Sequence, residues 1–122
     1  MFTVIGLFKR RPGMTMDEFI HYYENFHSRL GKKAVPTMVS YRRRYLHPVP
    51  YPIDGSVMEP EYDVITEMSY ADRAAFEDAN GKLMGDAALI AMVIEDEEKL
   101  FDRSKCRLVF VEDHETDMSP EQ

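Results

Sequence analysis

The segment FTVIGLFK, residues 2–9, is rich in β-branched and aromatic residues and is followed by the turn sequence RRPG. This composition predicts a β-strand. Alternate residues of a strand point to opposite faces, and both sets are apolar here. One set is Phe2, Val4 and Phe8, and the other is Ile5 and Leu7. A sheet that contains this strand must therefore be covered on both faces.

The rest of the chain alternates between helical and strand patterns. TMDEF at residues 15–19 has the form of a capping box, and it predicts a helix that runs to about Lys33 and ends before Pro36. Strands are predicted at residues 38–47, 62–69 and 104–113. Helical segments are predicted at 71–80, capped by Ser69 and interrupted at Gly81, and at 85–101, where one face holds Ala87, Ile90, Ala91 and Ile94.

The order β-α-β-β-α-β predicts a ferredoxin-like α+β fold, in which helices cover one face of a four-stranded antiparallel sheet. Helices of the same chain leave the other face open. Since the first strand is apolar on both sides, we expect an identical subunit to cover that face and form a homodimer.

Length and charge limit the possible functions. A chain of 122 residues suits one domain, which we expect over residues 1–113, with a polar tail over 114–122. The net charge of −7 argues against binding to nucleic acid or to an anionic membrane surface. The N-terminal apolar run is too short to span a bilayer and its charges follow it, unlike those of a signal peptide. We therefore expect a cytoplasmic protein.

The first helix contains a histidine beside its apolar stripe. At 100° per residue the stripe consists of Phe19, Tyr23, Phe26 and Leu30. His27 lies about 80° from Phe19 on this geometry, at the edge of the stripe. Two interpretations remain open: a structural histidine with a backbone partner, or a general acid or base in a pocket between helix and sheet.

One face of the second predicted strand is too polar for a plain core. Its alternation places on that face Val39, Tyr41, Arg43, Tyr45 and His47. The strand is either a half-exposed edge strand whose arginines meet acidic partners, or a pocket wall with phenol donors and a cation for a substrate carboxylate or phenolate.

No metal or organic cofactor is predicted. The sequence contains no CxxC, HExxH or phosphate-binding glycine motif. The lone Cys106 is expected to be a buried, inert thiol within the last strand, and the acidic run EDEE at 95–98 a solvated helix end.

Three stretches together resemble the EthD family: FKRRPGMTMDEF at 8–19, YYENFH at 22–27 and PTMVSY at 36–41. The resemblance implies a dimeric α+β barrel of two ferredoxin-like subunits. It also implies cofactor-independent chemistry on lactones, phenols or polyketide-like rings, similar to methylmuconolactone methylisomerase-type and polyketide dehydratase- or decarboxylase-type members. The proline-rich segment at 48–60 and the three consecutive arginines at 42–44 depart from the family pattern and would border the pocket.

By motif position the resemblance assigns the catalytic pair to His27 and Tyr41. His27 would move a proton, Tyr41 would hydrogen-bond a developing oxyanion, and Arg43 would hold a substrate carboxylate or phenolate. Aromatic pocket walls would come from Phe19, Tyr23 and Tyr45. The leading hypothesis is an isomerase, lyase or dehydratase without metal or cofactor. The alternatives are a non-catalytic dimeric binding or accessory protein for a hydrophobic metabolite and a cofactor-free monooxygenase.

Overall fold

The computed structural model of the chain describes residues 1–121, so Gln122, the last residue of the predicted tail, lies outside the described residues. The strands are β1 (Phe2–Phe8), β2 (Ser40–Tyr45), β3 (Val64–Tyr70) and β4 (Arg107–Phe110). The α-helices are α1 (Met16–Tyr22), α2 (Ser28–Ala34), α3 (Arg73–Met84) and α4 (Ala87–Leu100). A π-helical turn, Tyr23–His27, joins α1 to α2, and a 3₁₀ turn, Arg103–Lys105, precedes β4.

The four strands form one antiparallel sheet in the order β2-β3-β1-β4. β1 is central: Val4 pairs with Met68 of β3 and with Phe110 of β4. The apolar residues on both faces of β1 suit this central position, and helices of this chain cover one of the two faces. The predicted ferredoxin-like α+β fold is confirmed.

Several predicted boundaries are wrong, for local reasons. Ser69 is part of β3, where its hydroxyl lies 3.0 Å from that of Thr3, and the cap of α3 is Asp72, whose side chain accepts from the backbone N–H of Ala75. Gly81 does not interrupt α3, which continues to Met84. β2 and β4 are shorter than predicted, and Cys106, half-buried, precedes β4.

The capping box is confirmed, but the apolar stripe of the first helix is not. Thr15 Oγ1 accepts from the Glu18 N–H, and Glu18 accepts from the Thr15 N–H, both at 3.1 Å. In the π-helical turn that follows, each residue is rotated about the helix axis by less than 100° relative to the residue before it. As a result, residues four apart stay on one side, and the buried stripe is Phe19, Tyr23 and His27. Phe26 is 54% exposed and stacks on Tyr22 instead.

The hydrophobic core consists of two clusters on the helix side of the sheet. One contains Phe19, Tyr23, Val64, Leu100 and Phe101. The other contains Val4, Tyr70 and Ala79, with partly buried neighbours such as Met68 and Phe76. Helix α4 turns Val93, Asp96, Glu97 and Leu100 inward, whereas Ala87, Ala91 and Ile94 of the predicted apolar face are exposed.

The opposite face of the sheet carries apolar side chains that remain partly exposed. Ile5 and Leu7 of β1 lie there beside Ile65 of β3 and Val109 of β4, and Val109 is 42% exposed. Among residues 1–121, no helix covers these side chains. This is the face that we expect an identical subunit to cover.

Candidate functional site

A cavity of about 210 Å³ separates the two core clusters between the helices and the sheet. Its wall is mostly apolar, with contributions from both clusters, α2 and α4. A few polar side chains also reach it: Tyr23, His27, Tyr41, Thr66, Tyr70, Asn80 and Glu97. A concave, mostly apolar space with few convergent polar groups is the usual form of a small-molecule site.

His27 reaches this cavity because of the π-helical turn. Within the turn the Ser28 N–H donates to the Tyr23 carbonyl, five residues back, and His27 becomes 92% buried on the inner side of the helix. Its ring meets the rings of Tyr23 and Phe101 edge-on, with centroids 4.9 and 5.2 Å away. π-helical turns within α-helices are frequent at functional sites.

The imidazole of His27 is oriented by a carboxylate on α4. His27 Nδ1 lies 2.6 Å from Asp96 Oδ2, and the Tyr22 hydroxyl donates to Asp96 Oδ1 at 2.5 Å. An ionised carboxylate can only accept hydrogen bonds, so the Nδ1–H donates to Asp96. Within the described part of the chain Nε2 has no hydrogen-bond partner, and in this tautomer it carries the basic lone pair.

Three hydroxyl groups form a chain along the cavity wall. Tyr41 Oη donates to Tyr23 Oη at 3.4 Å, and Tyr23 Oη lies 2.7 Å from Thr66 Oγ1. Burial raises the pKa of Tyr41 and holds the pKa of Tyr23 well above its usual range. Both phenols therefore remain protonated at neutral pH and act as hydrogen-bond donors.

Helix α2 approaches Tyr41 closely at Gly31. A Cβ atom placed on Gly31 would lie 3.0 Å from Tyr41 Oη and 3.1 Å from the Tyr41 ring. The missing side chain thus gives Tyr41 its place at the cavity wall.

Arg43 is held by an acidic partner on the first helix. Its Nε and Nη2 donate to the two carboxylate oxygens of Glu24 at 3.0 and 2.7 Å, and Tyr45 Oη donates to the same carboxylate at 2.5 Å. The hydrogen bonds from Arg43, with a smaller contribution from Tyr45, lower the pKa of Glu24. The Arg43 guanidinium lies 4.8 Å from the ring centre of Tyr41 and lines a second cleft beside the cavity.

The structure brings some of the predicted site residues together and separates others. His27, Tyr23 and Tyr41 line the cavity. Phe19 is fully buried in the core cluster, where it meets Tyr45 edge-on at 6.2 Å, and neither lines the cavity. Of the other residues on the predicted polar face, Val39 is 60% exposed and His47 is exposed beyond the end of β2.

Sequence reasoning missed two functional candidates, Asp96 and Glu97. Both belong to the EDEE run, whose composition predicts a solvated helix end, but both face inward. Glu97 lines the cavity, with one carboxylate oxygen 3.4 Å from Arg103 Nε. Burial raises the pKa of Glu97. The spacing of Val93, Asp96, Glu97 and Leu100 is that of one helix face and would have indicated their burial.

The described residues give no indication of a metal site or of a membrane-spanning helix. In the described range, no three His, Cys, Asp or Glu side chains are grouped as a metal site would require. Likewise, none of the helices within residues 1–121 has the length and apolar character needed to cross a membrane.

The fold resembles several solved structures. An EthD family protein from Bacillus halodurans superposes with a TM-score of 0.62 at 20% identity, covering 93% of this chain and 100% of the other. HapK from Hahella chejuensis gives a TM-score of 0.56 at 13% identity over 99% and 100% of the two chains. A NIPSNAP family protein of unknown function from Agrobacterium tumefaciens gives 0.59 at 12% identity over 98% and 92%. At these identities the likeness concerns the fold alone.

Sequence comparison identifies the family. None of the curated proteins matches this sequence significantly. The model of the EthD domain matches residues 11–104, which include the helix with His27, the strand with Tyr41 and the helix with Asp96. The chain therefore belongs to the EthD family.

Proposed function

We propose that this protein is a cofactor-independent enzyme that catalyses a proton transfer, of the isomerase, lyase or dehydratase type, on a lactone, a phenol or a polyketide-like aromatic compound. The observation that carries the proposal is the Asp96–His27 hydrogen bond of 2.6 Å, which occupies Nδ1 of a histidine that lines an apolar cavity and leaves Nε2 open. A histidine that served only to satisfy a buried partner would not need an open second nitrogen.

Each of the site residues has a separate role in the proposed proton transfer. His27 Nε2 removes a proton from a carbon next to a carbonyl, or from a carbon next to the atom that bears a leaving oxygen, and Asp96 stabilises the imidazolium that forms. Tyr41, a protonated phenol at the same wall, donates a hydrogen bond to the developing oxyanion. Tyr23 supports Tyr41 through their hydroxyl contact, and the Arg43 guanidinium packs against the Tyr41 ring.

For the other predicted site residues we propose only supporting or peripheral roles. Phe19 and Tyr45 lie behind the cavity wall, so they would support it rather than contact a substrate. Arg43 would reach an anionic substituent only in the adjoining cleft, in competition with Glu24.

We further propose that the enzyme works as a homodimer through the open sheet face and that it is located in the cytoplasm. The partly exposed Ile5, Leu7 and Val109 support the first proposal, since an apolar sheet face calls for a cover. A single cysteine, which cannot form an intrachain disulfide, is compatible with the second.

The Kemp elimination tests for the base without knowledge of the natural substrate. In 5-nitrobenzisoxazole, a base removes the C3 proton, a nitrile forms and the N–O bond breaks to release a phenolate. We expect the wild-type protein to accelerate this reaction above buffer, and His27→Ala to lower kcat/KM by about 10²-fold or more. His21→Ala is the matched control because His21 is exposed on the same helix. Equal rates for wild type and His27→Ala, with both proteins folded, would contradict the proposal.

The alternative of a non-catalytic binding protein draws support from the largely apolar cavity wall. Such a protein would take up a neutral aromatic compound such as 2-naphthol without help from His27. Thermal-shift titration distinguishes the two functions. A binder would show the same ligand-induced rise in Tm in wild type and His27→Ala, and no acceleration of the Kemp elimination in either.

A further inference from the structure

We propose that Glu97 is a second catalytic residue of the cavity, a general acid that protonates an oxygen of the same molecule from which His27 removes a proton. This inference rests on the proposed function and adds to it the residue that completes the proton transfer. It also restricts the substrate to an uncharged molecule with a carbonyl or leaving oxygen.

The position of Glu97 follows from the geometry of α4. Asp96 and Glu97 are consecutive and both face inward. Asp96 bonds to His27 Nδ1, while Glu97 forms part of the wall of the cavity that His27 also lines. One helix therefore supplies both the carboxylate that orients the base and a second carboxyl group beside the space where a substrate would lie.

Glu97 does not form a strong ion pair. Its side chain is 31% exposed, and its contact is a single 3.4 Å approach to Arg103 Nε, whose own side chain is 51% exposed. This arrangement differs from that of Glu24, both of whose carboxylate oxygens receive hydrogen bonds from Arg43. A partly exposed single contact of this kind stabilises little.

The ionisable groups around Glu97 come from each element packed near it. They are His27 on the π-helical turn, Asp96 on α4, Arg103 on the 3₁₀ turn and Cys106 before β4. Burial raises the pKa of Glu97, although His27 and Arg103 act in the opposite direction. Consequently Glu97 keeps its proton to a higher pH than an exposed glutamate does, as a general acid requires.

The lining of the cavity indicates the charge of the substrate. Of the described residues that line it, none is a lysine or an arginine, whereas Glu97 lies in the wall and Asp96 behind His27. An anionic group inside the cavity would be desolvated without a cation to pair with it. An uncharged lactone or enone ring therefore fits the cavity better than a carboxylate.

The two groups give a balanced reaction without an oxidant or reductant. His27 Nε2 takes the proton of a C–H bond, and the electron pair of that bond forms a new π bond. The pair displaced from the neighbouring bond moves to oxygen, which receives the proton of the Glu97 carboxyl group. The imidazolium then returns a proton to the Glu97 carboxylate, directly or through water, and both groups are restored.

A leaving-group series of benzisoxazoles tests for the acid. The unsubstituted compound releases a poorer phenolate than the 5-nitro compound, so it depends more on protonation of the leaving oxygen. We expect Glu97→Gln to lower kcat/KM for unsubstituted 1,2-benzisoxazole by about 10²-fold but to change the rate of the 5-nitro compound by less than about threefold. Glu98→Gln, an exposed neighbour on α4, should leave both rates unchanged.

The outcomes separate this inference from the proposed function. Equal losses for both compounds, or no loss, would overturn the role of Glu97 while His27 remained the base. No acceleration by the wild type, or acceleration that does not require His27, would overturn the proposed function itself.

A second measurement needs no variant. For the wild type, the ratio of the unsubstituted to the 5-nitro rate should fall as the pH rises through the pKa of Glu97, because the acid is then lost. A ratio that stays constant with pH would also overturn the inference.

Discussion

His27 Nδ1 lies 2.6 Å from Asp96 Oδ2, in a hydrogen bond between residues 69 positions apart in the sequence. Asp96 also accepts from the Tyr22 hydroxyl, so α4 is linked to two consecutive sections of the first helix. The bond fixes the ring, selects the tautomer with a proton on Nδ1 and leaves Nε2 basic. The catalytic power of His27 should therefore depend on Asp96, which need not touch the substrate.

Asp96→Asn should remove the basic nitrogen from the cavity without removing the histidine. An asparagine side chain that presents its NH₂ group to Nδ1 favours the tautomer that carries its proton on Nε2. In this tautomer Nε2 has no free lone pair and cannot act as the base. We expect a loss of about 10²-fold or more in the Kemp elimination, and a destabilisation of about 1–3 kcal/mol from the weakened hydrogen bonds. ¹⁵N NMR of the His27 ring reports the tautomer.

Glu98→Gln is the control for this variant, since it changes an exposed carboxylate on the same helix. If Asp96→Asn kept both the Nδ1–H tautomer and the wild-type rate, Asp96 would have only a structural role.

Local sequence features were sufficient where the interaction is itself local. The capping box lies within four residues, Thr15 to Glu18, and both of its hydrogen bonds are present. The alternation of β2 likewise keeps Tyr41, Arg43 and Tyr45 on one face, as predicted, and β2 is an edge strand whose Arg43 meets the acidic Glu24. The strand β1 was likewise predictable, since its apolar pattern is a property of eight consecutive residues, and it lies between β3 and β4 in the sheet.

Features that depend on distant partners were not predictable in this way. An angular count at 100° per residue placed Phe26 in the buried stripe and His27 at its edge, because the π-helical turn has no simple sequence signature. Asp96 belongs to an acidic run whose composition is that of a solvated surface. What buries it is the pairing with His27 and Tyr22 on another helix, which appears only when α4 packs.

Gly31→Ala should disturb Tyr41 rather than the helix. Alanine favours helix over glycine by roughly 1 kcal/mol, but the new Cβ would lie 3.0 Å from Tyr41 Oη. The ring must shift, and we expect the gain in stability to be cancelled and the Kemp elimination to slow. Gly81→Ala in α3 is the matched control because nothing lies within 4 Å of its Cβ position.

For Gly81→Ala we expect a stabilisation of roughly 0.5–1 kcal/mol with unchanged activity. Denaturant unfolding measures both variants. An equal gain in stability for Gly31→Ala, with full activity, would show that the close approach to Tyr41 has no consequence.

Glu24→Gln should lower the stability in a pH-dependent manner. The hydrogen bonds from Arg43 lower the pKa of Glu24 in the folded state, so the folded protein binds fewer protons than the unfolded chain in the acidic range. The stabilisation is therefore present above the unfolded pKa and is lost as the pH falls through the folded pKa. We expect the variant to have a lower Tm than the wild type at pH 7, and nearly the same Tm at pH 3.

Glu77→Gln is the control, since Glu77 forms an exposed pair with Arg73 on α3 at 3.1 Å. Exposed pairs of this kind stabilise little, so its Tm should match that of the wild type at both pH values. A Tm difference for Glu24→Gln that stayed constant between pH 3 and pH 7 would contradict the assignment to the charged carboxylate.

Leu7→Glu should dissociate the proposed homodimer. Leu7 lies partly exposed on the open sheet face, directly opposite Arg107 of β4, which gives the new carboxylate a partner in the monomer and allows the variant to fold. Against an apolar partner surface the same charge would be desolvated at a cost of several kcal/mol, and the dimer Kd should rise by more than about 10²-fold. Light scattering after size exclusion should give the mass of one chain for Leu7→Glu and of two for the wild type.

Met92→Glu, which changes an exposed side chain on α4 away from this face, should retain the mass of two chains. A wild type that is monomeric throughout the micromolar range would instead show that the open face of the sheet is not covered by a second copy.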